Sequence, residues 1–414
     1  MLNRRETNEE FKERKKGNFQ HVEQELTLNA GSVLRISPWF SSLSYLLGKR
    51  NPLGQRADPA RHTVWLFDNT AYQSPHQRGD QVSVWNVELV ACILETHGRE
   101  DMGRWVAIIA DMVGVDGNMG MDGTAIRKRI AQRVQPFVNA VVPSRFISLE
   151  VPLSRTEVHK YRTNLSGKDG LVNHLIRIHP SHRVPDRMSI RPFLRQWPSP
   201  PVAMTTTFAA PAGWAIISDV DDTIKYTQTP DAIGILRTTF VEDPKPIAYM
   251  PELYQHIQTR LNPAWFYLSA SPYNLYRFLC EFLRSFYPQG TLLLRDGSWM
   301  DLPGLLKSFT TGTQAYKVDR MNKLHRCFPK RKILCIGDST QSDPEAYAEM
   351  YRKSKPWIKA IFIRRVTDVA NMERKNTDER FEKAFRGIPR TMWKIFDHPD
   401  QLFGLIDDLQ AKYP

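Results

Sequence analysis

The sequence predicts a β-rich first part with a helical insertion, followed by an α/β part built on a parallel sheet. Three observations lead there. From Trp214 onward short apolar runs recur, "WAIIS", "AWFYLS", "TLLLRD", "KILCIG" and "IKAIFIRR", with helical patterns between most of them. Strands buried on both faces and alternating with amphipathic helices make a parallel sheet. Before it lie strand-like segments, "TVWLFDNTAY", "QVSVWNVELVACIL" and "RFISLEVPL", with helices expected near 103–113 and 124–138. Between the two parts, the prolines and small polar residues of "QWPSPPVAMTTTFAAPAG" read as a linker. The expected organisation is a basic arm over 1–58, a sandwich-like accessory domain over 59–200, a linker over 201–212 and the α/β domain over 213–414.

Within the α/β part the helix after Ser271 is well marked. Leu275, Phe278, Leu279, Phe282, Leu283 and Phe286 keep i, i+3, i+4 spacing, and Ser271-Pro272 fits an N-cap with a first-turn proline. A helix is also expected near 400–412. In the arm, Trp39, Phe40, Leu43, Leu46 and Leu47 fall on one helical face ahead of Lys49 and Arg50. Such a stripe either packs on its own protein or lies on an anionic membrane.

The 414 residues are 41% hydrophobic and 24% charged, which suits a globular chain with two cores, and the formal charge of +13 favours acidic partners. Cys92, Cys280, Cys327 and Cys335 show no C-x-x-C pair and no metal spacing, as in a reducing, cytoplasmic compartment. No apolar run reaches membrane-spanning length, and "MLNRRETNEEFKERKKG" is too charged for a secretory signal. P-loop, dinucleotide and nucleophile-elbow motifs are missing. "DGNMGMDG" lacks the spaced acids of a calcium loop, and His174, His179 and His182 have no zinc spacing.

The chemistry concentrates at strand ends. In "WAIISDVDDTIKYT", Asp219, Asp221 and Asp222 follow a buried strand, an arrangement whose repulsion and desolvation are costly unless a cation or a reaction needs it. "WFYLSASP" ends with Ser269 and Ser271, "ILCIGDSTQSDPEAY" with Asp338 and Asp343, and "GTQAYKVDRMNKL" sets Lys317 near a helix start. Ligands bind beyond the carboxyl ends of such strands. Carboxylates for a hard divalent cation, with hydroxyls and a lysine for phosphate oxygens, make a phosphoryl-transfer kit.

These segments resemble the haloacid dehalogenase-like phosphatases. Asp219-Val220-Asp221-Asp222-Thr223 matches D-x-D-x-T, and Ser269, Lys317 and Gly337-Asp338 with Asp343 match the three later motifs. The wording "SDVDDTIKYT…WFYLSASPYNLY…IGDSTQSDPEAY" is similar more narrowly to the actin-patch phosphatidate phosphatase family of fungi, over roughly residues 214 to 366. The resemblance implies a Rossmannoid fold and Mg²⁺-dependent conversion of phosphatidate to diacylglycerol. Asp219 would attack phosphorus, and Asp221 would protonate the leaving alkoxide and then activate water. Asp219, the main-chain carbonyl of Asp221 and Asp338 would hold Mg²⁺, while Thr223, Ser269 and Lys317 would hold the phosphoryl group.

Alternatives stay open for several residues. Asp343 either caps a helix or braces the metal site and Lys317. Ser271 rivals Ser269, whose claim rests on the capping duty expected of Ser271; Lys307 rivals Lys317. Asp222 and Lys225 tune the site, meet the substrate or lie on the surface. The segment from Thr223 to Ser269 is too short for a large independent cap, so the site is expected to be open unless the first part covers it.

The partners expected are an anionic membrane surface and phosphatidate, met by a cytoplasmic, peripherally associating enzyme, and no nucleic acid. Two other readings compete: a phosphatase of soluble or protein-bound phosphomonoesters, and an adaptor for membranes or cytoskeletal proteins. The chain has no proline-rich tail of the kind that ties fungal relatives to actin patches.

Overall fold

Alternating burial shapes the first part into two facing sheets. The computed structural model of the protein describes residues 19–29, 54–73, 84–96, 102–115, 123–195, 197, 202–295 and 302–413. Helix α1 (Phe19–Asn29) precedes strands β1 (Gln55–Arg56), β2 (His62–Leu66), β3 (Asn69–Gln73) and β4 (Trp85–Glu95). Helices α2 (Met102–Val113) and α3 (Gly123–Val138) form the expected insertion. Strands β5 (Arg145–Phe146), β6 (Ser148–Pro152), β7 (Val158–Arg162), β8 (Leu171–Ile178), β9 (Ser189–Ile190), β10 (Phe193–Leu194) and β11 (Thr206–Ala209) follow. Long β4 is central, with β2 and β3 along one edge and β8 along the other, all antiparallel. The smaller sheet runs β10-β6-β7, and its Leu149 and Val151 share a core with Val87, Leu89 and Ile176 of the larger one.

One expectation changes here. The stretch read as a linker carries β11, which pairs in parallel with β3 and antiparallel with β9. Residues 206–209 are therefore part of the first sheet, and the chain passes almost directly from it into the second part.

That second part is a six-stranded sheet. Its elements are β12 (Trp214–Asp219), α4 (Ala232–Leu236), α5 (Met250–Leu261), β13 (Ala264–Leu268), α6 (Tyr276–Phe286), β14 (Thr291–Leu293), α7 (Leu302–Thr310), α8 (Thr313–Cys327) and β15 (Lys332–Asp338). Then come α9 (Asp343–Lys353), β16 (Ile358–Arg364), α10 (Asp378–Ala384), β17 (Trp393–Phe396) and α11 (Phe403–Lys412). The strand order is β14-β13-β12-β15-β16-β17, and every neighbouring pair is parallel. Every residue of β12 is buried because helices cover both faces. Ile216 joins Tyr254, Ile257 and Ile406 on one side, while Ala215 and Ile217 join Met321, Leu324 and Met350 on the other. Truncating Ile217 to alanine in such a core costs about 2–5 kcal/mol.

The chain moves from β12 to β13 and β14 in one direction, then crosses to β15 and continues the other way. The reversal opens a crevice between the carboxyl ends of β12 and β15, where open α/β sheets bind ligands. Helices of the first part extend over this end. Phe19, Val22 and Leu26 of α1, Trp105 and Ile109 of α2, and Ile130 and Val134 of α3 share one core with Ile235, Phe240 and Leu306. The amphipathic stripe around Trp39–Leu47 and most of the "DGNMGMDG" segment lie outside the described residues. Among the described residues no helix is long and apolar enough to cross a membrane.

Candidate active site

Asp219 and Asp338 end adjacent strands, and Thr223 joins them. Asp219 closes β12, Asp338 closes β15, and the Thr223 hydroxyl lies 3.2 Å from Asp219 Oδ2 and 2.8 Å from Asp338 Oδ2. Thr223 reaches both because the chain turns immediately after β12: the Val220 carbonyl accepts from the amides of Ile224 and Lys225. Asp338 Oδ1 accepts from the Thr340 amide and hydroxyl. Gly337 is required by a close approach, since a Cβ there would stand 2.6–2.7 Å from the Asp343 carboxyl group.

Lys317 enters from the second turn of α8, fully buried, with Nζ 2.6 Å from Asp219 Oδ1 and bonded to Asp343 Oδ1. Burial alone would lower its pKa, but Asp219, Asp343 and Asp338 together raise it, so the ammonium is fixed. Asp343 is the first residue of α9 and caps nothing: its other oxygen accepts from the Asp338 amide, so it braces Lys317 and the strand end. Burial pushes Asp343 up to about 6 despite Lys317, and burial with repulsion from Asp343 pushes Asp219 well above the carboxylate range despite Lys317. Lys307 is exposed on α7 and takes no part.

Asp221 is held through both oxygens. Ser269 donates to Oδ2 at 2.6 Å and Thr227 to Oδ1 at 2.9 Å. The expected cap at Ser271 does not form: a 3₁₀ turn over Tyr273–Leu275 opens the helix without a side-chain cap, and the fully buried Ser271 hydroxyl has no partner. Its amide donates to Ser269 Oγ at 3.1 Å, so both serines stand at this strand end. Asp222 is buried rather than on the surface. With a left-handed φ of 61° it folds the next segment back, its carboxylate accepting from the amides of Thr227, Gln228 and Thr229 and the Thr229 hydroxyl. Burial and repulsion from Asp338 raise its pKa against those bonds.

The donor set fits a hard divalent cation. Among the described residues Asp219, Asp338 and Asp343 are the one group of three acids or other metal-ligating side chains whose ligand atoms lie within 4.8 Å of one another. Thr223 has one hydroxyl hydrogen for two carboxylate oxygens, so at least one of them lacks it. Asp219, Asp221, Asp222, Asp338 and Asp343 are all buried, opposed by buried Lys225 and Lys317, while Arg364 pairs with Asp368 and reaches only the Asp222 carbonyl, so carboxylates are in excess. A divalent cation would offset that excess and bring Asp219 back down.

Asp219, Asp221, Thr223, Ser269, Lys317 and Asp338 are each no more than 2% exposed, so the site is covered. Part of the cover comes from the first part. Arg129 donates to the Val241 carbonyl, and Arg133 to those of Thr239 and Glu242, holding the π-helical turn 237–241 that continues α4. On the opposite flank Arg380 of α10 donates to the carbonyls of Ser339 and Gln341 and pairs with Glu345, fixing the loop beyond Asp338. Thr227, Thr340 and Arg380 carry no motif that sequence reasoning uses. His182 pairs with Glu157 at the surface, and the three histidines form no metal site.

Residues 214–365 match the family model "Phosphatidate phosphatase APP1, catalytic domain". The chain is 29% identical over 160 residues to the phosphatidate phosphatase APP1 of Saccharomyces cerevisiae, covering 38% of this chain and 27% of that protein. An uncharacterized protein of Schizosaccharomyces pombe is 28% identical over 169 residues, covering 40% of this chain and 27% of its own length. The chain thus spans about a quarter of the length of the curated relatives it matches.

Proposed function

Since residues 214–365 are a catalytic domain of the phosphatidate phosphatase APP1 family, we propose that this protein is a Mg²⁺-dependent phosphatidate phosphatase of haloacid dehalogenase-like fold. The observation that carries the reading is the shared crevice of Asp219 and Asp338, joined by Thr223 and flanked by Lys317. Mg²⁺, held by Asp219, Asp338 and the main-chain carbonyl of Asp221, would neutralise phosphoryl charge and favour the ionised form of Asp219.

The residues divide the work as follows. Asp219 attacks phosphorus while the ester P–O bond breaks, and the departing oxygen takes a proton from Asp221. Water then attacks the aspartyl-phosphate, gives a proton back to Asp221, and inorganic phosphate leaves with Asp219 restored. Thr223 and Ser269 now donate to carboxylates; on substrate arrival their hydroxyls turn to the phosphoryl oxygens, and Lys317 contributes fixed positive charge. Phosphatidate is the substrate favoured by the family, and the basic chain suits an anionic bilayer visited from the cytoplasmic side.

Release of inorganic phosphate from a panel of lipid and soluble phosphomonoesters, with Asp219→Asn as control, tests the reading. Phosphatidate in mixed micelles should be preferred, chelator should stop turnover and Mg²⁺ restore it, and Asp219→Asn should be inactive. High activity on soluble esters with little on phosphatidate would replace the substrate. Activity in Asp219→Asn would remove the nucleophile.

A further inference from the structure

Lys225 is a buried lysine with no carboxylate in direct contact, and the mechanism above gives it no task. Its ammonium lies 2.9 Å from Thr227 Oγ1, reaches the Tyr226 carbonyl at 3.4 Å and rests 5.5 Å from the centre of the Phe278 ring. An ammonium has only hydrogens to offer, so it can only donate into the Thr227 oxygen. The Thr227 hydrogen must then go to an acceptor, and Asp221 Oδ1 at 2.9 Å is nearer than the Lys225 carbonyl at 3.3 Å. The chain of bonds therefore has a fixed direction, from Lys225 to Thr227 to Asp221.

Thr227 is itself held from two further sides. Asp222 accepts from its amide, and the Thr238 hydroxyl, from the π-helical turn, lies 2.9 Å from its carbonyl and equally from that of Gly234. Such turns are rare and are frequently found at functional sites. The side chain of Thr227 thus has little freedom apart from the bond it makes to Asp221.

We infer that Thr227, oriented by Lys225, is a positioning residue that pins one oxygen of Asp221 and assigns proton exchange with the leaving group to the other. Ser269, whose hydroxyl turns to the phosphoryl group, occupies that other oxygen before substrate arrives. When it turns away, Oδ2 faces the ester oxygen while Oδ1 stays bonded to Thr227. The proton that Oδ2 gives to the departing oxygen as the P–O bond breaks is the one left there by water in the preceding turnover, and attack of the next water on the aspartyl-phosphate restores it.

This inference rests on the phosphatase reading, with Asp221 as acid and base. A leaving group of low basicity needs little protonation, whereas an alkoxide needs it fully. Dioctanoyl phosphatidate in mixed micelles and p-nitrophenyl phosphate supply the two extremes. Thr227→Val should lower kcat/KM on phosphatidate about tenfold or more while changing it only slightly on p-nitrophenyl phosphate, since kcat/KM reports the leaving-group step and not the later water attack that both esters share. Thr227→Ser should restore the lost rate. Lys225→Met and Thr227→Ala, measured in parallel, should shift the ratio of the two rates the same way, so poor folding of one variant does not end the test. Equal loss on both esters in the folded variants, or no rescue by serine, overturns the inference. Failure of the underlying reading looks different: the unmodified protein hydrolyses neither ester, or Asp221→Asn behaves like it on both.

Discussion

Lys317 shares one ammonium between Asp219 and Asp343, and all three side chains are essentially removed from solvent. Removing the cation leaves two buried carboxylates without their counter-charge. Lys317→Met should therefore cost about 3–5 kcal/mol of stability, more than its loss of packing explains. A Lys317→Met/Asp343→Asn double variant should recover a good part of that. Urea unfolding in chelator measures both; a cost below about 1 kcal/mol for the single variant would mean that the pair is solvated.

The same crowding sets a pH dependence for the metal-free protein. Asp343 rises from 3.8 to about 6 on folding, so the folded state holds its proton more tightly than the unfolded chain. Its contribution to stability is complete below the unfolded value and is lost as pH climbs through the folded one. In chelator the unmodified protein should lose stability relative to Asp343→Asn between about pH 4 and 6. Mg²⁺ at a hundred times its dissociation constant should add about 2.7 kcal/mol near neutrality. A difference between the two proteins that stays flat with pH rules this out.

Ser269 and Ser271 should separate cleanly. The Ser271 hydroxyl is buried without a partner, so Ser271→Ala should leave stability unchanged or raise it by about 1 kcal/mol. Ser269→Ala removes the bond to Asp221 Oδ2 and a hydroxyl for the phosphoryl group, and should lower kcat by about 10²-fold or more. If Ser271→Ala proves the more damaging to kcat, the two assignments exchange.

The motifs are legible because their positions follow from short, buried and mostly apolar strands. Asp219, Ser269 and Asp338 come after such runs, and a parallel sheet brings their ends together without further information. β11 was not legible, since its threonines resemble a linker and its partner β3 lies far back in the chain. β17 is a short edge strand with a lysine in its middle and gives no apolar run. Thr227 escapes, and the place of Lys225 stays open, for another reason: both depend on the left-handed turn at Asp222, and a single Asp-Asp-Thr does not reveal how the residues beyond it fold back.

The cover over the site offers the last test. The Arg133 guanidinium donates to the Thr239 and Glu242 carbonyls and stacks 4.8 Å from the centre of the Phe278 ring, while Arg129 reaches the Val241 carbonyl. These bonds tie a helix of the first part to the turn whose Thr238 holds Thr227. Arg133→Ala should release that turn. Amide exchange over residues 237–242 should quicken while β12 and β15 stay protected, because local opening follows the loss of local bonds. The rate should fall about tenfold, with kcat affected more than KM, since the loosened group is Asp221 rather than a substrate contact. Arg133→Lys keeps the charge but not the forked geometry, so it should recover only part of the loss. Unchanged exchange across 237–242 in Arg133→Ala would show that packing alone holds the turn, and that the first part covers the site without steering it.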